Sequence, residues 1–364
     1  MVKKATRLAR FAEAVEDQPV VVGFDVHKKT YSVALFSSQD GQVESYTCPA
    51  GEAALAAQLS GLGCSIEHIV YETGPTGFAL ARTLMAAGFK VSVIAASRIP
   101  RGYAAAAKND RLDAVKLATY FARGLLHSVA IPTVEQEGYR ALVRRRKRVA
   151  ESRGKIKQKI KGFLLASGIG EPQSIQKWSL AASADLSALD MPPEHRMSLA
   201  SMVREYLFLL SEDKMLRAEI RTATKRMHAE RFAHLTSVVG VGETAASNFL
   251  AELFSPERFN RPEEVTSYLG LAPVVSQSGG SQARARIRPV GQKRLRGILI
   301  EAAWQWTWRD PEAKELYNRH FAKHGIGQKA IVAVARKLAI KLWRMAVEIP
   351  PVSMEGAARG AWSG

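Results

Sequence analysis

The chain has 364 residues, 47% hydrophobic and 24% charged, which suits two or three folded domains and excludes disorder throughout. Fifty-two Lys and Arg against 34 Asp and Glu leave a formal charge of +18, an excess that points to a polyanionic partner. Two cysteines, Cys48 and Cys64, rule out a disulfide framework, no Cys/His spacing fits zinc, and no apolar run reaches the ~18 residues of a membrane span.

The basic start MVKKATRLARF lacks the apolar core of a signal peptide, so residues 1–17 are read as a basic tail and a reducing cytoplasm as the expected compartment. VVVGFDVHKKTYSVALF, Val20 to Phe36, predicts a strand, a turn and a strand, with a third strand at Val43 to Thr47 and a helix at Glu52 to Leu62. IEHIVYET reads as a buried strand ending at Glu72; GPTGF then turns the chain into a helix at Ala79 to Ala87. A strand at Lys90 to Ala95 and a helix opening near Asn109 follow. Three strands in hairpin order and then αβαβα is the order of an RNase H-like mixed sheet, assigned to residues 18–130.

From Tyr139 to Leu165 and from Leu199 to Phe232 the periodicity is helical, long and rich in Lys, Arg and Glu, which fits an antiparallel coiled-coil pair over residues 131–233. Ser167 to Pro193 between them reads as a looped insertion. A mainly helical unit is expected over 234–349, and the last residues, 350–364, as a disordered tail.

The charge is concentrated. Between Tyr139 and Lys161 stand eleven Lys or Arg and one acid, Glu151. Arg144, Arg145, Arg146, Lys147, Arg148, Lys155 and Lys157 are the candidate phosphate contacts there, against the alternative of a solvated helix face. Arg284, Arg286, Arg288, Lys293, Arg294 and Arg296 form a second cluster with no acid among them.

Four acids stand in unusual places. Asp25 closes a strand between apolar neighbours, where a charge is costly unless compensated. Glu72 ends the strand expected beside it, and Asp110 and Asp113 lie three apart at a helix start, on one face. Helix capping would also explain the last two. Carboxylates that converge repel each other, and a pair of divalent cations, Mg²⁺ or Mn²⁺, relieves that repulsion and serves phosphodiester chemistry. His27 is a neighbour of Asp25 in the role of a structural histidine, and His320 and His324 read as surface residues.

SVVGVGETAASNF contains Gly240, Gly242 and Ala245 but lacks the strand and ribose-binding acid of a dinucleotide fold. A hairpin between helices fits better, with glycine amides facing a nucleic-acid phosphate or merely capping a helix. Ser276, Ser278 and Ser281 surround Gly279 and Gly280 directly before the second basic cluster, where cations favour attack on a phosphodiester; an ordinary polar turn is the alternative. Trp304, Trp306 and Trp308 read as packing residues.

In the order FDVHKK, YETGPTGF, KNDRLDAVKLA, SVVGVG, YLGLAPVVSQSGGS and RGILIEAAW, the chain resembles the DEDD-type transposases of insertion-sequence family 110, the bridge-RNA-guided serine recombinases. The resemblance implies a RuvC-like domain whose acids fall on Asp25, Glu72, Asp110 and Asp113, a coiled-coil linker, and a C-terminal transposase domain with Ser278 as nucleophile. It also implies donor and target double-stranded DNA, a structured non-coding guide RNA and a homo-oligomer as partners. One departure stands out: Val290, Gly291 and Gln292 occupy the place of the family's basic residue, Gly and Asn. A RuvC-like junction endonuclease would use the same acids with water as nucleophile, and would need no serine domain.

Overall fold

The computed structural model describes residues 2–16, 18–74, 76–100, 110–276, 284–287 and 291–350. The chain divides into two compact units, Met1–Pro132 and Thr133–Gly364. The first is a mixed six-stranded sheet, β1 (Val20–Val26), β2 (Thr30–Ser37), β3 (Val43–Pro49), β4 (Ile66–Glu72), β5 (Val91–Ile94) and β6 (Ser128–Val129), in the order β3-β2-β1-β4-β5-β6. The first hairpins are antiparallel, β1, β4 and β5 run parallel, and β6 returns antiparallel. The mixed sheet expected from the sequence is present, with β6 as an addition.

Alternation along β1 decides which helices cover which face. Val20, Val22, Phe24 and Val26 enter a core with α1 (Val2–Val15), α2 (Glu52–Ser60) and α3 (Ala79–Ala86), whereas Val21 joins Val70, Ile94, Leu117 and Ala118 under α4 (Asp110–Ala122). The N-terminal segment is therefore not a tail. Leu8, Phe11 and Val15 lie one helical face apart and are buried, and Arg7 pairs with Glu44.

The second unit starts with α5 (Val134–Ala166), whose first turn carries a reciprocal capping box between Thr133 and Gln136. After α6 (Leu180–Ser187), the helix α7 (Pro193–Thr236) returns antiparallel to α5, Tyr139 meeting Thr224 and Arg153 meeting Asp213. Then come α8 (Glu243–Leu253), α9 (Pro262–Tyr268), the hairpin β7 (Pro273–Ser276) and β8 (Arg284–Ile287), α10 (Lys293–Arg309), α11 (Pro311–His324) and α12 (Gly327–Glu348). The helix pair serves two cores. Ile156, Ile160 and Leu164 pack with α6 and the first half of α7, while Tyr139, Val143 and Ile220 belong to the core of the C-terminal helices. α7 runs without interruption through the expected boundary at 233/234. Among the described residues no helix is long and apolar enough to cross a membrane. The expected tail at 350–364 falls, but for residue 350, outside the described residues.

His228 breaks the helical dihedrals of α7, with φ −146° and ψ 27°, and is buried beside the Tyr139 ring. Burial, with Arg231 adding to it, pushes its imidazole down to about 4. Below pH ~6.5 the unfolded chain takes up a proton that the native state refuses until about pH 4, so stability falls across that interval and is unaffected above it. The loss should reach at most about 3 kcal/mol. Urea unfolding of wild type and His228→Phe at neutral pH and near pH 5 checks this: the variant should show the smaller drop.

Candidate functional site

Gly23 is where the first site is made. A Cβ there would overlap the carbonyl oxygen of Ala114 and sit 2.8 Å from the amide nitrogen of Ala118, so α4 rests directly on the backbone of β1. Asp25 is two residues on, hence on the same face, and Asp113 immediately precedes Ala114 on the helix that covers it. On the neighbouring parallel strand Gly23 aligns with Val70, so Glu72 also shares this face, and its partner Ile94 packs under α4. Asp25 and Glu72 thus stand side by side at the carboxyl ends of adjacent parallel strands. Asp25 is 22% exposed, with His27 Nε2 3.3 Å from its Oδ2, while Asp113 is half-buried and Glu72 exposed.

Asp110 opens α4, but its side chain lies outside the described residues. Among the described residues no three His, Cys, Asp or Glu side chains come close enough to hold one metal ion. Asp25 and Glu72 therefore share a face and an end of the sheet, with Asp113 on the helix that covers that face, and the three do not close into a cage. In kind they fit a hard divalent cation, since all are carboxylates.

The basic helix α5 sorts its charges by face. Arg144 grips Glu252 through two hydrogen bonds of 2.8 and 2.6 Å, and Arg146 and Arg153 converge on Asp213 at 3.0 and 2.8 Å with Arg217 at 3.1 Å. Burial alone would push the Asp213 carboxyl up; the three guanidiniums outweigh it and hold the group below the usual carboxylate range. Lys157 lies over the rings of Trp178 and Tyr206, and Lys147 donates to the Arg294 carbonyl. Arg144 and Arg146, expected as phosphate contacts, here direct their guanidiniums to buried acids. Arg145, Arg148, Lys155 and Lys159 are exposed. At 100° per residue these four fall within about 80° of one another and span about 21 Å, a continuous outward stripe.

Gly240, at φ 89°, is a packing glycine, since a Cβ would lie 2.6 Å from the Trp306 amide nitrogen of α10. Gly242 is exposed at the N-cap of α8 and lends no side-chain cap to it. Lys293 and Arg294 are exposed at the start of α10. Of the tryptophans, Trp306 is buried as expected, whereas Trp308 is 73% exposed.

Ser278, Ser281 and Arg288 lie outside the described residues, as do the side chains of Ser276, Arg284 and Arg286, whose backbones pair across β7 and β8. The ends of that hairpin are fixed. Gly291, at φ 85°, is pressed against Gly270, a Cβ there falling 2.6 Å from its nitrogen. Gln292 donates its backbone N–H to the Tyr268 carbonyl at 2.9 Å and its side-chain amide to the Tyr268 hydroxyl at 3.2 Å. Tyr268 in turn donates to the Glu252 carbonyl at 2.9 Å. Gln292, at the start of α10, is thereby tied through both backbone and side chain to Tyr268. Sequence reasoning passed over Gly23, Asp213 and Glu252; of these only Gly23 carried a local signal, a lone glycine inside a β-branched strand.

Two family profiles match the chain: one described as a DEDD transposase of IS110 over residues 22–168, the other as the transposase IS116/IS110/IS902 family over 232–318. The chain is 28% identical to a putative transposase, y4qE, of Sinorhizobium fredii, across 90% of this chain and 88% of that one. It is 24% identical to the transposase for insertion sequence element IS1533 of Leptospira borgpetersenii, across 91% and 97%. A third relative, the transposase for insertion sequence element IS1111A of Coxiella burnetii, is 25% identical across 72% and 73%.

The seat of α4 on β1 yields a test. Gly23→Ala should destabilise the first unit by about 2–3 kcal/mol, because backbone atoms of α4 must withdraw, and should displace Asp113 from the strand ends. Urea unfolding measures the first effect; an unchanged midpoint would mean that α4 is not seated on this glycine.

Proposed function

We propose that the chain is an IS110-family transposase, a reading that two matching family profiles and transposase relatives support, and that it excises and integrates an insertion sequence by DNA strand cleavage and exchange, guided by a structured non-coding RNA. The observation that carries the reading is the placement of Asp25 and Glu72, each directly after the paired Phe24 and Tyr71, at the carboxyl ends of adjacent parallel strands. Asp25, Glu72, Asp110 and Asp113 are the residues that would hold Mg²⁺ or Mn²⁺. Bound there, such ions supply Lewis-acid stabilisation of the phosphodiester oxygens.

Ser278 is the proposed nucleophile. Its hydroxyl gives up a proton as the oxygen bonds to a DNA phosphorus, the bond from that phosphorus to one strand oxygen breaks, and the departing oxygen takes up a proton. A hydroxyl of the strand to be joined then attacks the same phosphorus and releases the serine, so the phosphodiester is conserved. Basic side chains around the hairpin, Arg284, Arg286, Arg288, Lys293 and Arg294, offset the approach of two anions. The exposed amide of Gly242 is assigned to a phosphate, as is the stripe on α5. The partners are donor and target double-stranded DNA, the guide RNA and further copies of this chain.

Two experiments test this. With donor and target DNA, guide RNA and Mg²⁺, Ser278→Ala should abolish a covalent protein–DNA adduct, while Ser276→Ala and Ser281→Ala keep at least part of it; Asp25→Asn should lower cleavage by orders of magnitude. Cleavage by Ser278→Ala without adduct would instead favour a junction endonuclease using water. Separately, replacing Arg145, Arg148, Lys155 and Lys159 by Gln should weaken RNA binding and flatten its salt dependence, whereas Lys157→Gln should leave the slope unchanged.

A further inference from the structure

Between α5, α7 and α8 the second unit encloses a cavity of about 420 Å³, none of whose lining residues belongs to the serine hairpin or to the α5 stripe. Its surfaces differ in chemistry. The floor is apolar, built from buried Ile220 and half-buried Phe232. The wall carries buried Asn248, whose Nδ2 donates to the Thr244 carbonyl at 2.8 Å. Among the described residues that is the amide's one bond, which leaves it one hydrogen and one oxygen to offer a ligand.

The rim is cationic. Arg217, Arg221 and Lys225 follow one another at intervals of four residues on α7, all exposed. Arg217 shares Asp213 with two other arginines, and Arg221 pairs with Glu243, itself on the rim, at 2.9 Å. Lys225 has no ion pair among the described residues. With Arg146, four cations line the cavity against one lining acid, Glu243, while Asp213 behind them is shared by Arg146, Arg153 and Arg217, and the balance favours an anion.

An apolar floor, an amide in the wall and a charged rim correspond to the three parts of a nucleotide: the face of a base, its hydrogen-bonding edge and its phosphate. The volume is also in the range of sites that enclose a small organic ligand. An inorganic anion would use the rim and leave the floor and Asn248 without a role. We propose that this cavity holds one unstacked nucleotide, its base over Ile220 and Phe232, its edge on Asn248 and its phosphate at Arg221 and Lys225. The proposal rests on the nucleic-acid reading above only for the source of that nucleotide, a strand rather than the free pool.

Full-length protein with the α5 stripe neutralised, so that the stripe does not contribute, is titrated calorimetrically with the four ribonucleoside 5′-monophosphates, with inorganic phosphate, and with single-stranded RNA of about six nucleotides. Saturable binding of a monophosphate or of the short strand at one site per chain is expected, and binding of the strand without the monophosphates assigns the source to nucleic acid. Lys225→Glu, a change at an exposed residue, should weaken that binding about tenfold or more. Asn248→Leu, with its melting temperature checked, should alter the ranking among the four bases. Inorganic phosphate competing as well as nucleotides would overturn the proposal, as would wild-type binding by both variants. No strand cleavage is read, so a failure of the serine mechanism leaves this result intact.

Discussion

Along a β-strand every second residue faces the same way, and on β1 that rule places a glycine and an aspartate on one face, two positions apart. A side chain at that glycine would overlap the backbone of α4, and its absence lets the helix settle on the strand. Helix backbone and strand backbone then meet directly, and Asp113, next to Ala114 on α4, is held over the face of the sheet that carries Asp25 and Glu72. The opposite face of the same strand is wholly apolar, and it closes a core against α1, α2 and α3. A strand with one dry face and one face interrupted by Gly and Asp serves both to anchor the fold and to display the acid.

In the second unit the ordering agent is charge. A helix with eleven cations in 23 residues would repel itself if all faced solvent together. Glu252 and Asp213 take three of these arginines inward, where breaking either group would leave an uncompensated charge in a low-dielectric setting. What remains outside is ordered into a stripe because the helix period decides which residues are left. The same two acids tie α5 to α8 and α7, so that selection of the outer face and packing of the inner one are a single event.

Much of the first unit was legible in the sequence. β-branched runs broken by HKKT and GPTGF gave the strands, and an aspartate between Phe24 and Val26 had no ordinary place in a core. The helical character of α5 and α7 was equally plain. What escaped was orientation. In the run Arg144 to Arg148 the residues look equivalent, and only the positions of Glu252, 108 residues away, and Asp213, 67 away, separate the inward from the outward. Long-range partners leave no local mark. The basic start was taken for a tail because its Lys and Arg outnumber the three apolar residues, Leu8, Phe11 and Val15, that the sheet buries. The short strands β7 and β8 went unread because each is four residues long and half of their residues are Pro, Ser or Arg.

α7 is 44 residues long, about 66 Å of continuous helix but for the step at His228. One half is packed with α6 and the other with the C-terminal helices, whose core borrows Tyr139 and Val143 from α5. A fragment cut at residue 233, where composition invites a boundary, would leave Phe249, Leu250 and Leu299 without those neighbours and α5 without its return helix. The smallest separable piece that keeps both cores intact begins at Thr133. α7 thus ties both cores of the second half of the chain to one backbone, so a cut anywhere along it removes packing partners from each.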